Sequence, residues 1–394
     1  MKRVLTRICI IGVVLVATFY MAGGWYFSGE IDSRALDGAE MRASYPGEFD
    51  LEITRVGDGT IDLIASGDEV PTTLTRHGIW GLRWEGGYGR IQGPIALGTP
   101  PLGGGGGAQH SFEVVSGNPP VAGDAAQIDS RAYSQVGQIP LTYQDVEIQG
   151  PLGEYPAWFW PGKSDTWAIV VHGNSMSRLD GARAVPIFAG FGLPVLVPTS
   201  RNAPGAPEDP SGKLRYGLTE WEDLEAAVQY ALDQDATDVI LDGYSMGGGV
   251  IMSFMDRSPL ADRVSAIVLD APMLNFSQTV DDNASRETLP VVGLPLPSSL
   301  TATAKLLASL RFGVDWSALD YLDVEPEVPV LIFHGTEDLT VPIATSKDYA
   351  QRHPGEVTLV SCPDTDHIQC WNVDPAGYAQ RVEHFLQSEV DANR

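Results

Sequence analysis

Basic residues are scarce in this chain: 25 lysines and arginines stand against 51 aspartates and glutamates, a formal net charge of −26 over 394 residues. No Lys/Arg cluster interleaved with aromatics offsets that deficit, so the phosphate neutralisation behind most nucleic-acid affinity is missing, and no nucleic-acid partner is expected. The same balance supports solubility and keeps a soluble portion off anionic headgroups. Cysteine is nearly absent, with three copies, and the seven histidines form no ligand cluster with them, so no metal site is expected. The glycine run Gly103 to Gly107 lacks a following Lys-Ser/Thr and reads as a flexible loop. With no Walker loop and no dinucleotide fingerprint elsewhere, no cofactor is expected.

Charge is also missing from one long stretch. Ile8 to Phe27 carries none, and its length matches a helix crossing the ~30 Å hydrocarbon layer of a bilayer. Lys2, Arg3 and Arg7 precede it while Glu30 and Asp32 follow, so the positive-inside rule puts the N-terminus in the cytoplasm and the rest outside. The expectation is a single-pass protein of the cell membrane with everything after Ser28 extracytoplasmic. A cleaved signal peptide is the alternative, because Ala22-Gly23-Gly24 offers small residues for cleavage and would release a secreted form.

What the chain does have is Gly243-Tyr244-Ser245-Met246-Gly247 directly after the apolar run Val239-Ile240-Leu241. A serine between glycines at a strand-to-helix turn is lifted above the sheet edge, and the glycines are needed where a Cβ would clash with crowded backbone. Among 43 glycines such a match arises by chance, and its context gives it weight. Val328 to Phe333 reads as a second buried strand leading to Asp338. Val357 to Val360 reads as a third, leading to Asp364, Asp366 and His367. Parallel strands would bring Ser245, Asp338 and His367 to one edge.

Strand direction eliminates the other histidines. His77 and His110 precede the region, and His172 and His334 look like structural turns before glycine. His353 comes before its strand, and His384 belongs to the amphipathic segment Gly377 to Glu389. For the acid, Asp270 at the end of Ala266 to Leu269 remains a rival to Asp338, while Glu337 reads as a solvated loop charge. Trp167 to Val171 is a strand ending in His172-Gly173-Asn174-Ser175. The turn at Asn174 and the backbone N–H of Met246 are the expected oxyanion donors.

On His172-Gly173, the Ser245 turn, the Asp338 loop and His367, the chain resembles the α/β-hydrolase superfamily from about Leu141 to the C-terminus. More loosely, Glu220-Trp221, Ser245 to Gly248 and Trp371 to Pro375 are similar to membrane-anchored bacterial hydrolases of the esterase and prolyl-oligopeptidase-like branch. The resemblance implies an α/β-hydrolase fold, a mostly parallel sheet flanked by helices, and a Ser-His-Asp mechanism through an acyl-enzyme. It leaves esterase, peptidase and acyltransferase open, and a non-catalytic tethered binding protein is the other-class alternative. Esterase leads, because no peptide-gating domain is visible.

The supporting segments read independently of any family. Thr219-x-x-Glu222 is a capping-box pattern before Trp221, Leu224, Val228 and Ala231 at helical spacing. Residues 31–140 alternate apolar and polar at Phe49 to Thr54 and Thr60 to Ile64, with further candidates at Ile79 to Trp84 and His110 to Val115; this predicts a small β-rich N-terminal subdomain. Residues 272–321 carry Leu289-Pro290, Leu294-Pro295-Leu296-Pro297 and the apolar stretch Thr303 to Leu310. For this segment it is the resemblance that implies a cap over Ser245, with a surface crossover as the alternative; as a cap, its apolar side chains would favour an uncharged acyl group, hence a small-molecule or lipid-like acyl substrate. Cys362 and Cys370 bracket His367 and either bridge or remain unrelated thiols; Cys9 lies in the apolar span.

Overall fold

The computed structural model describes residues 2–39, 48–67, 70–98, 106–131, 133–174, 177–290 and 292–392. Most of the glycine run expected as a loop, residues 103–105, lies outside them, and Gly107 already belongs to a strand.

The largest sheet has eight strands in the order β14-β13-β12-β11-β9-β10-β8-β7. Its ranges are β7 Gln144–Gly150, β8 Gly153–Trp160, β9 Thr166–Val171, β10 Val195–Pro198, β11 Asp238–Tyr244, β12 Val264–Asp270, β13 Val330–Gly335 and β14 Val357–Cys362. Strands β10, β9, β11, β12, β13 and β14 run parallel, while β8 and β7 add an antiparallel edge. Burial on both faces explains the unbroken apolar runs, because a central parallel strand has no solvent side. Val239 and Leu241 face one apolar cluster, and Ile240 faces the other.

Helices cover both faces. Helix α2 (Trp221–Asp233) and α3 (Met246–Arg257) contribute Leu224, Val228, Val250 and Ile251 to one cluster. The C-terminal helix α7 (Pro375–Ala392) contributes Tyr378, Val382 and Leu386 to the other. The stripe read on α2 is present: Leu224, Val228 and Ala231 are buried and Trp221 is half-buried against them.

The capping box is not formed. Glu220 occupies the N-cap without a side-chain cap bond, and its buried carboxylate instead accepts from the N–H groups of Arg215 (2.7 Å) and Gly217 (2.9 Å). Thr219 Oγ1 donates to Asp209, and Glu222 pairs with Arg201. A buried carboxylate that closes the preceding loop satisfies more donors than a surface box would, and burial pushes its pKa up while those N–H groups oppose the shift.

Residues 51–129 form a closed barrel of six strands, β1-β2-β5-β4-β3-β6. They are β1 Leu51–Val56, β2 Thr60–Ala65, β3 Gly78–Trp84, β4 Gly87–Leu97, β5 Gly107–Gly117 and β6 Ala125–Asp129. The inward positions of the alternating pattern, among them Leu51, Ile53, Ile61, Leu63, Trp80 and Leu82, build its core. Closure leaves no unpaired sheet edge.

Helix α1 (Lys2–Ile31) contains the uncharged run and continues one turn past it. Its apolar residues Ile10 to Val16 are exposed. The segment after it docks on the large domain: Leu36 is buried, its carbonyl accepts from Leu214 N–H at 2.8 Å, and Lys213 pairs with Asp32 and Asp37. Between β12 and β13, residues 272–321 hold α4 (Phe276–Arg286) and α5 (Ser298–Phe312), the latter longer than the stretch from Thr303 to Leu310.

Candidate active site

Ser245 follows β11 and precedes α3 with φ 52° and ψ −117°, a backbone conformation seldom held by a residue with a side chain. The crowding that forces it is visible at the glycines. A Cβ on Gly247 would lie 2.3 Å from the Val171 carbonyl oxygen, and one on Gly243 would lie 2.6 Å from Ile251. The start of α3 thus packs tightly on both β9 and β11, and the hydroxyl is raised above the sheet edge.

His367 meets it there. Its Nε2 lies 2.9 Å from Ser245 Oγ, and its Nδ1 lies 2.7 Å from Asp338 Oδ2. Asp338 is buried, and its second oxygen accepts from the N–H groups of Thr340 and Val341, both at 2.8 Å. Burial alone would raise this carboxyl. The charge of His367 and hydrogen bonds from His334 and His367 outweigh it and hold Asp338 well below the usual carboxylate range.

The two expected oxyanion donors lie at the start of α3 and after β9. Met246 opens α3, and the first N–H groups of a helix have no carbonyl partner within it. Asn174 lies in the turn after β9, and its side chain donates to the Tyr216 hydroxyl at 2.9 Å. His172 accepts Ser200 N–H on Nε2 at 3.1 Å and donates from Nδ1 to the Gly173 carbonyl at 2.9 Å. Burial lowers its pKa, so it is a neutral brace for this turn.

The remaining histidines lie elsewhere. His77 is exposed, and His110 is buried in the barrel against the Leu74 carbonyl. His353 ends α6 (Ile343–Arg352), 3.1 Å from the Leu322 carbonyl. His384 is exposed on α7.

Asp270, the rival acid, is fully buried and faces the Arg183 guanidinium at 3.5 Å. Burial pushes its carboxyl up, and Arg183 opposes that shift. Arg183, itself buried, also donates to the Ile368 carbonyl (2.8 Å) and to Asn372 Oδ1 (3.1 Å). It therefore braces the residue after His367. Replacing Arg183 by methionine should destabilise the protein by about 3–5 kcal/mol, since a buried carboxylate would lose its counter-charge. Urea unfolding checks this; a loss below about 1 kcal/mol would show the pair to be dispensable.

Four partners were missed in sequence. His334 Nε2 lies 3.2 Å from Asp338 Oδ2, a second imidazole on the acid; its only signal was a spacing of four residues. Asp366 Oδ1 accepts from the N–H groups of both His367 (2.7 Å) and Leu339 (3.2 Å), tying the His367 loop to the Asp338 loop. Asn372 donates to Ile79 O (2.9 Å) and Ser130 O (2.6 Å), and Arg76 donates to Gln369 (2.5 Å). The barrel thus grips the segment after His367. Glu337, read as a solvated charge, pairs with Arg76 at 3.3 Å.

Cys362 and Cys370 are joined in a disulfide with Cα atoms 5.8 Å apart, closing the loop that carries His367. Reduction should lower the unfolding free energy by about 2–3 kcal/mol in the chain-entropy model. Denaturant midpoints with and without a reductant measure it, and coincident curves would rule out a stabilising role.

No protein-family model and no curated protein matches this chain. Among solved structures it is similar to the Pyrococcus furiosus esterase Pf2001 at 20% identity. In one crystal form the match covers 65% of this chain and 96% of the esterase with a TM-score of 0.51. In another it covers 66% and 94%, again with a TM-score of 0.51. With its strand order, its Ser245 turn and this likeness, the chain has the α/β-hydrolase fold.

Proposed function

We propose that this protein is a membrane-anchored serine hydrolase that cleaves carboxylic esters. The carrying observation is the unbroken relay from Ser245 Oγ through both nitrogens of His367 to Asp338. With Nδ1–H donated to the carboxylate, Nε2 is left as the acceptor for the serine proton. Ser245 Oγ attacks the ester carbonyl as His367 takes that proton, and the N–H groups of Met246 and the Asn174 turn receive the oxyanion. Collapse expels the alcohol, which leaves with the proton from His367, and the acyl group stays on Ser245. Water, deprotonated by His367, then releases the acid and restores the hydroxyl.

Helix α1 supports the anchor, being long and apolar enough to cross a membrane while its apolar side chains from Ile10 to Val16 stay exposed. Residues 272–321 act as the cap in this reading. The purified full chain is expected to turn over p-nitrophenyl esters with saturation while leaving matched anilides essentially intact. The absence of both turnover and fluorophosphonate labelling would overturn the hydrolase reading. Protease added outside intact cells should digest the chain beyond Ser28; full protection would overturn the orientation.

A further inference from the structure

Helix α1 does more than trail from the fold, because α5 packs directly on its outer end. Tyr20 and Ser299 share a hydrogen bond of 2.7 Å between their hydroxyls. A Cβ on Gly23 would lie 3.0 Å from Leu300, and one on Gly24 would lie 2.7 Å from Thr303. Arg311 donates to the Trp25 carbonyl (2.7 Å) and to Ser28 Oγ (2.5 Å), with its guanidinium 3.8 Å above the Trp25 ring. The two helices therefore run in the same sense, with Ser299 at the level of Tyr20 and Arg311 at the level of Trp25 to Ser28. The small residues that resemble a cleavage site are packed against Leu300 and Thr303 of α5.

This pairing sets the depth of α5. Tyr20 and Trp25 belong to the uncharged run, so a bilayer around that run must also meet α5 between Ser299 and Arg311. The side chains there suit lipid: Leu306 is 61% and Leu310 74% exposed, one helical turn apart on the flank beside α1. The hairpin leading into α5 adds Val292 and Leu294, each 61% exposed. Arginine over tryptophan is a pairing suited to the boundary between hydrocarbon and water.

The same elements lead to the catalytic edge. From α4, Asn283 donates to the Thr340 carbonyl (3.1 Å) and Arg286 to the Leu339 carbonyl (2.5 Å), next to Asp338. Leu339 is itself 61% exposed. On the other side, the Tyr216 hydroxyl donates to the Ala35 carbonyl just past α1 at 3.0 Å and accepts from Asn174. Both the acid loop and the turn after β9 are thus bonded to membrane-proximal segments.

We infer that the Leu306 and Leu310 face of α5 sits in the outer part of the bilayer beside α1, and that the substrate is an amphiphilic ester delivered to Ser245 from the lipid. The inference rests on the hydrolase and anchor readings above and adds the source and class of the substrate. It also requires that α1 be retained.

The test uses the full chain reconstituted in phosphatidylcholine vesicles, with 4-methylumbelliferyl oleate in the lipid and 4-methylumbelliferyl acetate in the water. A Leu306→Asp/Leu310→Asp variant is expected to lower oleate turnover at least about tenfold more than acetate turnover. An unchanged oleate-to-acetate ratio would overturn the delivery. Seating is read without activity, from a pyrene label on Leu310→Cys in a Cys9→Ser background. Brominated phosphatidylcholine should quench it and should spare the same label on Val121→Cys in the barrel, a site 62% exposed. No quenching at Leu310, or excimer emission in place of quenching, would overturn the lipid face; excimer emission would assign it to a second copy. If wild type turned over neither ester while the Leu310 label was quenched, the hydrolase reading would fall, and substrate delivery with it, while the lipid face stood.

Discussion

Replacing Ser245 by alanine is expected to lower ester turnover about a million-fold and to abolish fluorophosphonate labelling, because the bond-forming atom is removed while fold and binding surfaces stay. His367→Ala should cost nearly as much. The double variant should be little worse than either alone, since the hydroxyl and imidazole work as one unit through the 2.9 Å contact. His353→Ala is the matched control: that imidazole is bound to the Leu322 carbonyl and precedes β14, at the opposite edge of the sheet from Ser245, and turnover should persist. Turnover constants measured alongside labelling separate lost chemistry from lost protein. Wild-type labelling of the Ser245→Ala chain would remove this serine from the mechanism.

Asp338→Asn is the second large effect, a loss of about ten-thousand-fold in turnover. The carboxylate receives His367 Nδ1 at 2.7 Å, leaving Nε2 as the acceptor that Ser245 needs. An amide in the same space can offer its NH2 to that nitrogen, turn the imidazole to the other tautomer and place a hydrogen where the serine proton must go. His334, 3.2 Å from the same oxygen, does not substitute, because its ring is held by Ser346 and the Val341 carbonyl. Asp270→Asn should cost far less turnover, its partner being Arg183 and not His367. The reverse order of the two variants would move the acid one strand earlier.

The parts of the site legible in sequence share a physical origin. Ser245, Asp338 and His367 each follow an apolar strand, and in a parallel sheet chain direction alone carries the residues after β11, β13 and β14 to one edge. The glycines at 243 and 247 signal close approach because backbone crowding there is local in sequence. The capping-box pattern misled for the opposite reason: a surface motif worth about 1 kcal/mol gives way when a buried Glu220 is needed by N–H groups of the preceding loop.

Order, periodicity and turn chemistry are local properties, and from them the sequence by itself determined the parallel α/β core, the positions of the three catalytic candidates, the uncharged span of α1 and the alternation that forms the barrel strands. Only tertiary structure decided that His334 shares the acid, that Arg183 braces Ile368 against Asp270, that Cys362 and Cys370 bridge, and that Asn372 ties the base segment to the barrel. It alone also decided that Gly23 and Gly24 are packed by α5. Some of these join side chains distant in sequence, and others, His334 with Asp338 and Cys362 with Cys370, join neighbours along the chain that only the path of a loop brings into contact; no pattern within a single segment records either.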